Sequence, residues 1–181
     1  MKNLSDYAIQ KFCIPLYHAK VVNWEKKRQN LLDIYTKFAK PTYCEQWSDY
    51  DESKSNTYVN LVENVLLEDI KLAASKMGKI HRLPRVIDAW FQVYGYGDSH
   101  PIHNHGYKNW SMVCFIKFDP SHHRPTTFIA PFTDLFDGNI IEYEPEDVDE
   151  GSLIFFPSSL AHFVPANQSN VERMILSSNI C

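Results

Sequence analysis

The chain has 181 residues, 44% apolar and 22% charged, with a formal net charge of −4; one domain of this length buries roughly two-thirds of the surface its unfolded chain exposes. Its apolar content excludes long disorder, and no run reaches the ~18 uninterrupted apolar residues of a membrane-crossing helix. Charge is uneven: residues 1–90 hold 14 of the 18 Lys+Arg and 11 of the 22 acids, for +3, whereas residues 91–181 hold four cations against 11 acids, for −7, a poor match for nucleic acid or anionic lipid.

The opening Met-Lys-Asn-Leu-Ser-Asp lacks the apolar stretch of a secretory leader, and Cys13, Cys44, Cys114 and Cys181 are scattered with no Cys-x-x-Cys pair. The expected setting is therefore a reducing cytoplasm. From Asn23, placed as an N-cap, a helix is predicted over Trp24–Ala39, with Trp24, Leu31, Leu32, Ile34, Tyr35 and Phe38 on one stripe and Lys26, Lys27, Arg28 and Gln29 outside it. A second helix is predicted over Thr57–Met77, burying Val59, Val62, Val65, Leu66, Ile70 and Ala73 and capped by Gly78, after a polar loop at 41–56.

After Pro84 the apolar period changes to two. Segments 86–94, 109–118, 126–130, 139–143, 152–156, 161–165 and 171–180 are short, rich in aromatic and β-branched residues and punctuated by Pro, Gly, Asn and Asp, as expected of an all-β sandwich or barrel. The acidic stretch Glu142–Glu150 reads as a solvated loop. The expected fold is mainly β with N-terminal helices (α+β): a single domain 1–181, in which 1–84 is a helical support and 85–181 the β core.

The chemistry-bearing residues lie in that core. His100, His103 and His105 follow the turn Gly95-Tyr96-Gly97-Asp98. In an extended chain residues i and i+2 project to one side, so His103 and His105 form a two-toothed chelate for Fe, Zn, Cu or Ni. Pro165 and the Asn residues of the tract 165–170 predict a hairpin joining strands 161–165 and 171–180, which would make His162 and Arg173 cross-strand partners. Arg173 opens a strand that otherwise reads as interior, so its guanidinium needs an anion, either one of the 11 acids or a bound carboxylate. On strand 86–94 the odd residues Ile87, Ala89, Phe91 and Val93 form an apolar face for helices. The even residues Asp88, Trp90, Gln92 and Tyr94 fit either a polar ligand cavity or a wet surface.

Taken together, Pro101-Ile-His103-Asn-His105, then Phe156-Pro157, His162, Pro165-Ala-Asn167, Glu172-Arg173 and Asn179 resemble the Fe(II)/2-oxoglutarate-dependent oxygenase superfamily, and within it a group of small oxygenases common in phages and marine bacteria. The resemblance covers about residues 84–181. It implies a double-stranded β-helix (jelly roll, cupin-like) supported by the two helices, with Fe(II), 2-oxoglutarate as cosubstrate and O2. By matching position His103 and His162 are metal ligands, Arg173 holds the far carboxylate of 2-oxoglutarate, and Asn179 lines the same pocket. Gln92 and Tyr94 join them as candidate cofactor-binding residues, and Trp90, Phe115, Phe155 and Phe163 are available as walls.

The departure is His105, which stands where the superfamily has a carboxylate. Either His103, His105 and His162 all bind metal, or two histidines do and water or Asp98 completes the shell. Three readings follow from this: a 2-oxoglutarate-dependent hydroxylase, a three-histidine cupin-like metalloenzyme without a 2-oxo acid, and a non-catalytic jelly-roll binding module. The expected partner is a small molecule or a peptide or protein substrate, with no nucleic acid and no membrane. A homodimer is left open, and the cytoplasm is the host's if the gene is carried by a phage.

Overall fold

The structure, a computed structural model, describes residues 14–39, 47–50, 58–77 and 83–181. In chain order the elements are β1 (Tyr17–Lys20), α1 (Trp24–Phe38), β2 (Trp47–Ser48), α2 (Val59–Met77), β3 (Val86–Tyr94), β4 (His100–His103), β5 (Trp110–Lys117), β6 (Thr127–Thr133), β7 (Ile140–Tyr143), β8 (Ser152–Pro157), β9 (His162–Val164) and β10 (Arg173–Ile180). They form a six-stranded sheet in the order β1-β8-β5-β10-β3-β2 and a four-stranded sheet in the order β4-β9-β6-β7. From β3 onward successive strands alternate between the sheets, apart from the β6–β7 hairpin, and that winding is the double-stranded β-helix.

Period-two sequence sorts the two faces of the large sheet. Ala89, Phe91 and Val93 of β3 and Met174 and Leu176 of β10 point outward, where they meet Leu31 and Ile34 of α1 and Val62, Leu66 and Ile70 of α2. Tyr94, Val113, Phe115, Ile154, Phe156 and Ile175 point inward and meet Phe128 and Val164 of the small sheet. Full burial of each such side chain is worth about 1.5–3 kcal/mol. The helix layer therefore clamps one face of the sheet whose other face carries the polar interior.

The N-terminal part also supplies two short strands that periodicity did not predict. β1 pairs with β8 from Tyr17↔Phe155 to Lys20↔Ser152, and β2 pairs with β3. Asn23 is not a side-chain cap. It sits at φ 56, ψ 48 with no capping hydrogen bond, because Asn adopts the left-handed conformation at low cost and the chain reverses there. Gly151, at φ 79, is packed so closely under Trp24 that a Cβ would lie 2.9 Å from the ring, which ties the start of α1 to the start of β8. Thr57 and Gly78, the expected ends of the second helix, lie outside the described residues, as does most of the loop expected at 41–56.

The expected hairpin between 161–165 and 171–180 does not form. β9 pairs with β4 and β6 in the small sheet, whereas β10 lies between β3 and β5 in the large one. The intervening tract crosses between the sheets because Asn167 pins it to the β3–β4 turn. Its Nδ2 donates to Tyr94 O (3.0 Å) and Val171 O (2.9 Å), and its backbone N–H donates to Asp98 O (2.9 Å). His162 is consequently opposite His103, and Arg173 is opposite Tyr94.

Candidate active site

The β4–β9 pairing brings His103 and His162 side by side at one end of the barrel. His105 lies two residues beyond β4, held there by its backbone N–H to Ser158 O at 2.8 Å. One ring nitrogen from each of His103, His105 and His162 lies within 4.8 Å of the others, and Asp98 does not belong to this group. The Asp98 carboxylate instead accepts the Gly95 N–H at 2.8 Å inside its own turn.

Hydrogen bonds decide which nitrogens face each other. His103 Nδ1 is 2.9 Å from Pro101 O and His162 Nδ1 is 2.9 Å from Leu160 O. A carbonyl only accepts, so each Nδ1 carries the proton and each Nε2 carries a lone pair. His105 Nδ1 lies 2.9 Å from Asn179 Oδ1 and 2.8 Å from Ser111 Oγ. Asn179 is oriented by Asp88, whose Oδ1 accepts both the Asn179 side-chain Nδ2 (2.6 Å) and its backbone N–H (3.1 Å). Its amide oxygen therefore faces His105, whose Nε2 becomes the free acceptor. The Nε2 atoms of His103 and His105 are 3.3 Å apart. Two lone pairs at that distance repel unless a cation lies between them, and a set of imidazole nitrogens suits Fe, Zn, Cu or Ni.

Burial depresses the basicity of all three, and the proximity of the other imidazoles lowers His105 and His162 further. His162 is pushed down to about 3 and His105 to about 4, and His103 is also lowered. His100, whose ring lies 4.1 Å from that of His103, is pushed down to about 4. The folded metal-free protein thus refuses protons that the unfolded chain binds near the ordinary value of 6.5. Its stability is full above about pH 6.5 and declines as pH falls toward 4. Urea midpoints of the metal-free protein are expected to fall from pH 7.5 to pH 5, and a midpoint that rises on acidification contradicts the assignment.

The structure places Asn179, which the resemblance assigned to the cosubstrate pocket, against His105 and Asp88. Both ends of its amide are engaged, one with His105 and the other with Asp88, and Asp88 in turn pairs with Lys108 at 2.8 Å. A ligand histidine backed by an oriented acceptor, itself held by a carboxylate, is a common supporting arrangement at metal sites. Gln92 is buried on the same sheet face and accepts from Ser177 Oγ at 3.0 Å. Trp90 meets His105 edge-on at 5.2 Å. The aromatic on His162 is Phe156, at 4.7 Å, and not Phe155, which faces the helices, or Phe163, which lies outside the interior cluster. An uninterrupted Leu-Ile-Phe-Phe run carries no alternation by which to choose between Phe155 and Phe156.

Arg173 is 1% exposed. Its guanidinium carbon lies over the rings of Tyr94 (5.3 Å), Phe118 (5.7 Å) and Phe115 (5.8 Å). Among the described residues it forms no ion pair, and the nearby Glu144 is bound to Arg124. Among the described residues Arg173 has a 3.5 Å contact to Thr126 Oγ1, and its Nε and the buried hydroxyl of Tyr94 have no hydrogen-bond partner. Burial lowers the guanidinium to about 10, still charged at neutral pH, and raises the Tyr94 phenol. A buried cation beside two unused donors is a cradle for a carboxylate.

A two-sheet barrel with converging imidazoles at one end and, on its wall, a buried guanidinium with no ion pair among the described residues fits a non-haem metal enzyme acting with an organic acid. The profile of the family described as "Putative 2OG-Fe(II) oxygenase" matches residues 88–179, just over half of the chain. The chain belongs to that family, whose members use Fe(II), 2-oxoglutarate and O2. Membership selects the 2-oxoglutarate-dependent reading over the cupin-like enzyme without a 2-oxo acid and over the non-catalytic module.

Several solved structures share the fold. The non-haem α-ketoglutarate-dependent epimerase SnoN from nogalamycin biosynthesis is 10% identical with a TM-score of 0.70, over 93% of this chain and 78% of that one. HygX from Streptomyces hygroscopicus, solved with nickel, 2-oxoglutarate and hygromycin B, is 8% identical with a TM-score of 0.63, over 92% and 82%. A Pseudomonas putida prolyl-4-hydroxylase is 16% identical with a TM-score of 0.55, over 91% of each chain. No curated protein matches by sequence. Among the described residues no helix is long and apolar enough to cross a membrane.

Proposed function

We propose that His103, His105 and His162 hold the Fe(II) of this oxygenase as a three-histidine face, that Arg173 and Tyr94 bind the distal carboxylate of 2-oxoglutarate, and that the enzyme hydroxylates a C–H bond. The observation that carries this reading is Arg173, a buried cation with no anionic partner among the described residues, in the same interior as a group of converging imidazoles. Three neutral ligands leave the ion's two positive charges uncompensated, which favours a dianionic cosubstrate. When bound, iron and 2-oxoglutarate would supply, with O2 as the oxidant, oxidative decarboxylation to succinate and CO2 together with an oxidising equivalent for the substrate. The chain's own part is to fix the imidazole tautomers, to donate from Arg173 and Tyr94 to the carboxylate, and to exclude water with Trp90, Phe156 and Phe128. A cytoplasmic setting belongs to the proposal and is supported by the free thiols of Cys114 and Cys181.

Thermal unfolding tests it. Mn(II) alone is expected to raise the melting temperature. Adding 2-oxoglutarate at 100 times its Kd adds about 2.7 kcal/mol, and it does so only in the presence of metal. Metal-loaded protein that gains nothing from millimolar 2-oxoglutarate sinks the reading.

A further inference from the structure

β6 does not stop where its sheet stops. Thr127 and Phe128 pair with Phe163 and His162 of β9, and the Ile129 N–H donates to Ala161 O. Beyond that point β6 has only β7 beside it, with Thr133 opposite Ile140. β6 runs antiparallel to β9, and β9 begins at His162, so the overhang runs past the histidines toward the side on which His105 lies. The β6–β7 hairpin is therefore a finger that projects beyond Ile129 on the His105 side of the site; its ladder is irregular, four residue steps of β6 (Ile129 to Thr133) facing two of β7 (Glu142 to Ile140), a rise of roughly 7 Å at about 3.3 Å per residue.

The tip of the finger is a bonded turn. Asp134 Oδ1 accepts the backbone N–H of Phe136 (2.8 Å) and Asp137 (3.3 Å), Asp134 O accepts that of Gly138 (3.0 Å), and Gly138 sits at φ 72. This turn holds Leu135 and Phe136 outward, 96% and 98% exposed. Ile102 and Tyr107, which flank His103 and His105, are also exposed. Apolar side chains fixed in water around a reaction mouth mark a recognition surface. The finger's own charge is one-sided: from Thr127 to Tyr143 the chain has three acids and no lysine or arginine, whereas Glu144, Asp149, Glu150 and Glu172 beyond it are paired with cations from other elements. Asp134, Asp137 and Glu142 lie on the finger itself.

We propose that the finger docks the substrate, and that the substrate is a basic segment of a polypeptide with a large apolar side chain near the reacting residue. Its apolar side chain would lie on Leu135 and Phe136 and its cations would face the three acids. Among the described residues β7 is the edge strand of its sheet, so its outer backbone groups face no other strand and can pair with an extended chain. This proposal rests on the oxygenase reading of the site and is tested separately from it.

The probes are two fluorescent pools of twelve-residue peptides with the same randomised apolar positions, one with Lys and Arg at the polar positions and the other with Glu. Fluorescence anisotropy is measured with Mn(II)- and N-oxalylglycine-loaded protein. The basic pool is expected to bind at least tenfold tighter than the acidic pool. The double variant Leu135→Ser/Phe136→Ser loses about tenfold, and Glu142→Lys also weakens binding and flattens its salt dependence. Both variants should keep the wild-type thermal shift with Mn(II) and 2-oxoglutarate, which separates failure of docking from failure of the metal site. Equal binding of the two pools overturns the proposal, as does an unchanged affinity in the tip variant. So does light scattering that shows a wild-type dimer which the tip substitutions dissociate, since the finger's occupant is then a second copy of the chain.

Discussion

Arg173→Met is expected to weaken 2-oxoglutarate binding by on the order of 100-fold or more and, against the usual direction for a core substitution, to stabilise the metal-free protein. Arg173 is 1% exposed, with an unpartnered Nε and no ion pair among the described residues. Holding an uncompensated ion in a protein interior costs several kcal/mol even after relaxation. Methionine restores most of the volume, and its thioether packs well against the rings of Tyr94, Phe115 and Phe118 that surround the guanidinium. In the loaded protein the balance reverses, because the carboxylate loses its charge-assisted donors. Truncating one partner of a buried charged pair costs about 2–5 kcal/mol, so a loss of about 3 kcal/mol, on the order of 100-fold in Kd, is the minimum expected. Calorimetric titration of Mn(II)-loaded protein and urea unfolding of the metal-free form measure the two effects. Mn(II) affinity should remain close to wild type. If Arg173 were instead a structural cation with an internal partner, the same change would destabilise the metal-free protein by about 3–5 kcal/mol, so the sign of that shift decides between the roles.

The opposite signs explain which parts of the site could be read from sequence. Strand parity depends only on local geometry, and it put Ala89, Phe91 and Val93 under the helices, as found, but also Ile87, which is exposed; it left Asp88, Trp90, Gln92 and Tyr94 open between a cavity and a wet surface, and the structure buries them. Arg173 stood out because a cation in an apolar strand is anomalous wherever the strand goes. Parity says nothing about depth, however. Asn179 shares a face with Arg173 but lies six residues along β10, roughly 20 Å at 3.3 Å per residue, so it meets His105 and not Arg173. Turn composition has the same limit. Pro165 and Asn167 marked the end of β9 but not a hairpin, because the destination of the next strand was set by Asn167 bonding across to Tyr94 and Asp98, 73 and 69 residues away in sequence. The histidine trio was legible through spacing and resemblance. The anchoring of His105 was not, because it requires residues 88, 111 and 179 to meet.

That anchoring makes His105 the place to test a three-histidine face against a two-histidine one. His105→Ala should weaken Fe(II) or Co(II) binding as severely as His103→Ala, because both remove an Nε2 lone pair from the same point. Asn179→Ala leaves the imidazole in place but removes the acceptor that holds its Nδ1 proton and orients the ring. Loss of such an outer partner typically costs 10–100-fold in metal affinity, so Asn179→Ala should fall between wild type and His105→Ala. Asp88→Asn should act in the same direction, since Asp88 is what aims the Asn179 oxygen at His105. If the metal were held by His103 and His162 with water completing the shell, His105 would be a polar wall residue. His105→Ala would then leave Co(II) affinity and its visible absorption spectrum within about threefold of wild type, and Asn179→Ala would change stability alone. Measuring Co(II) affinity and spectrum alongside urea midpoints therefore separates the two arrangements: a ligand role couples Asp88 and Asn179 to the metal, whereas a packing role couples them only to the fold.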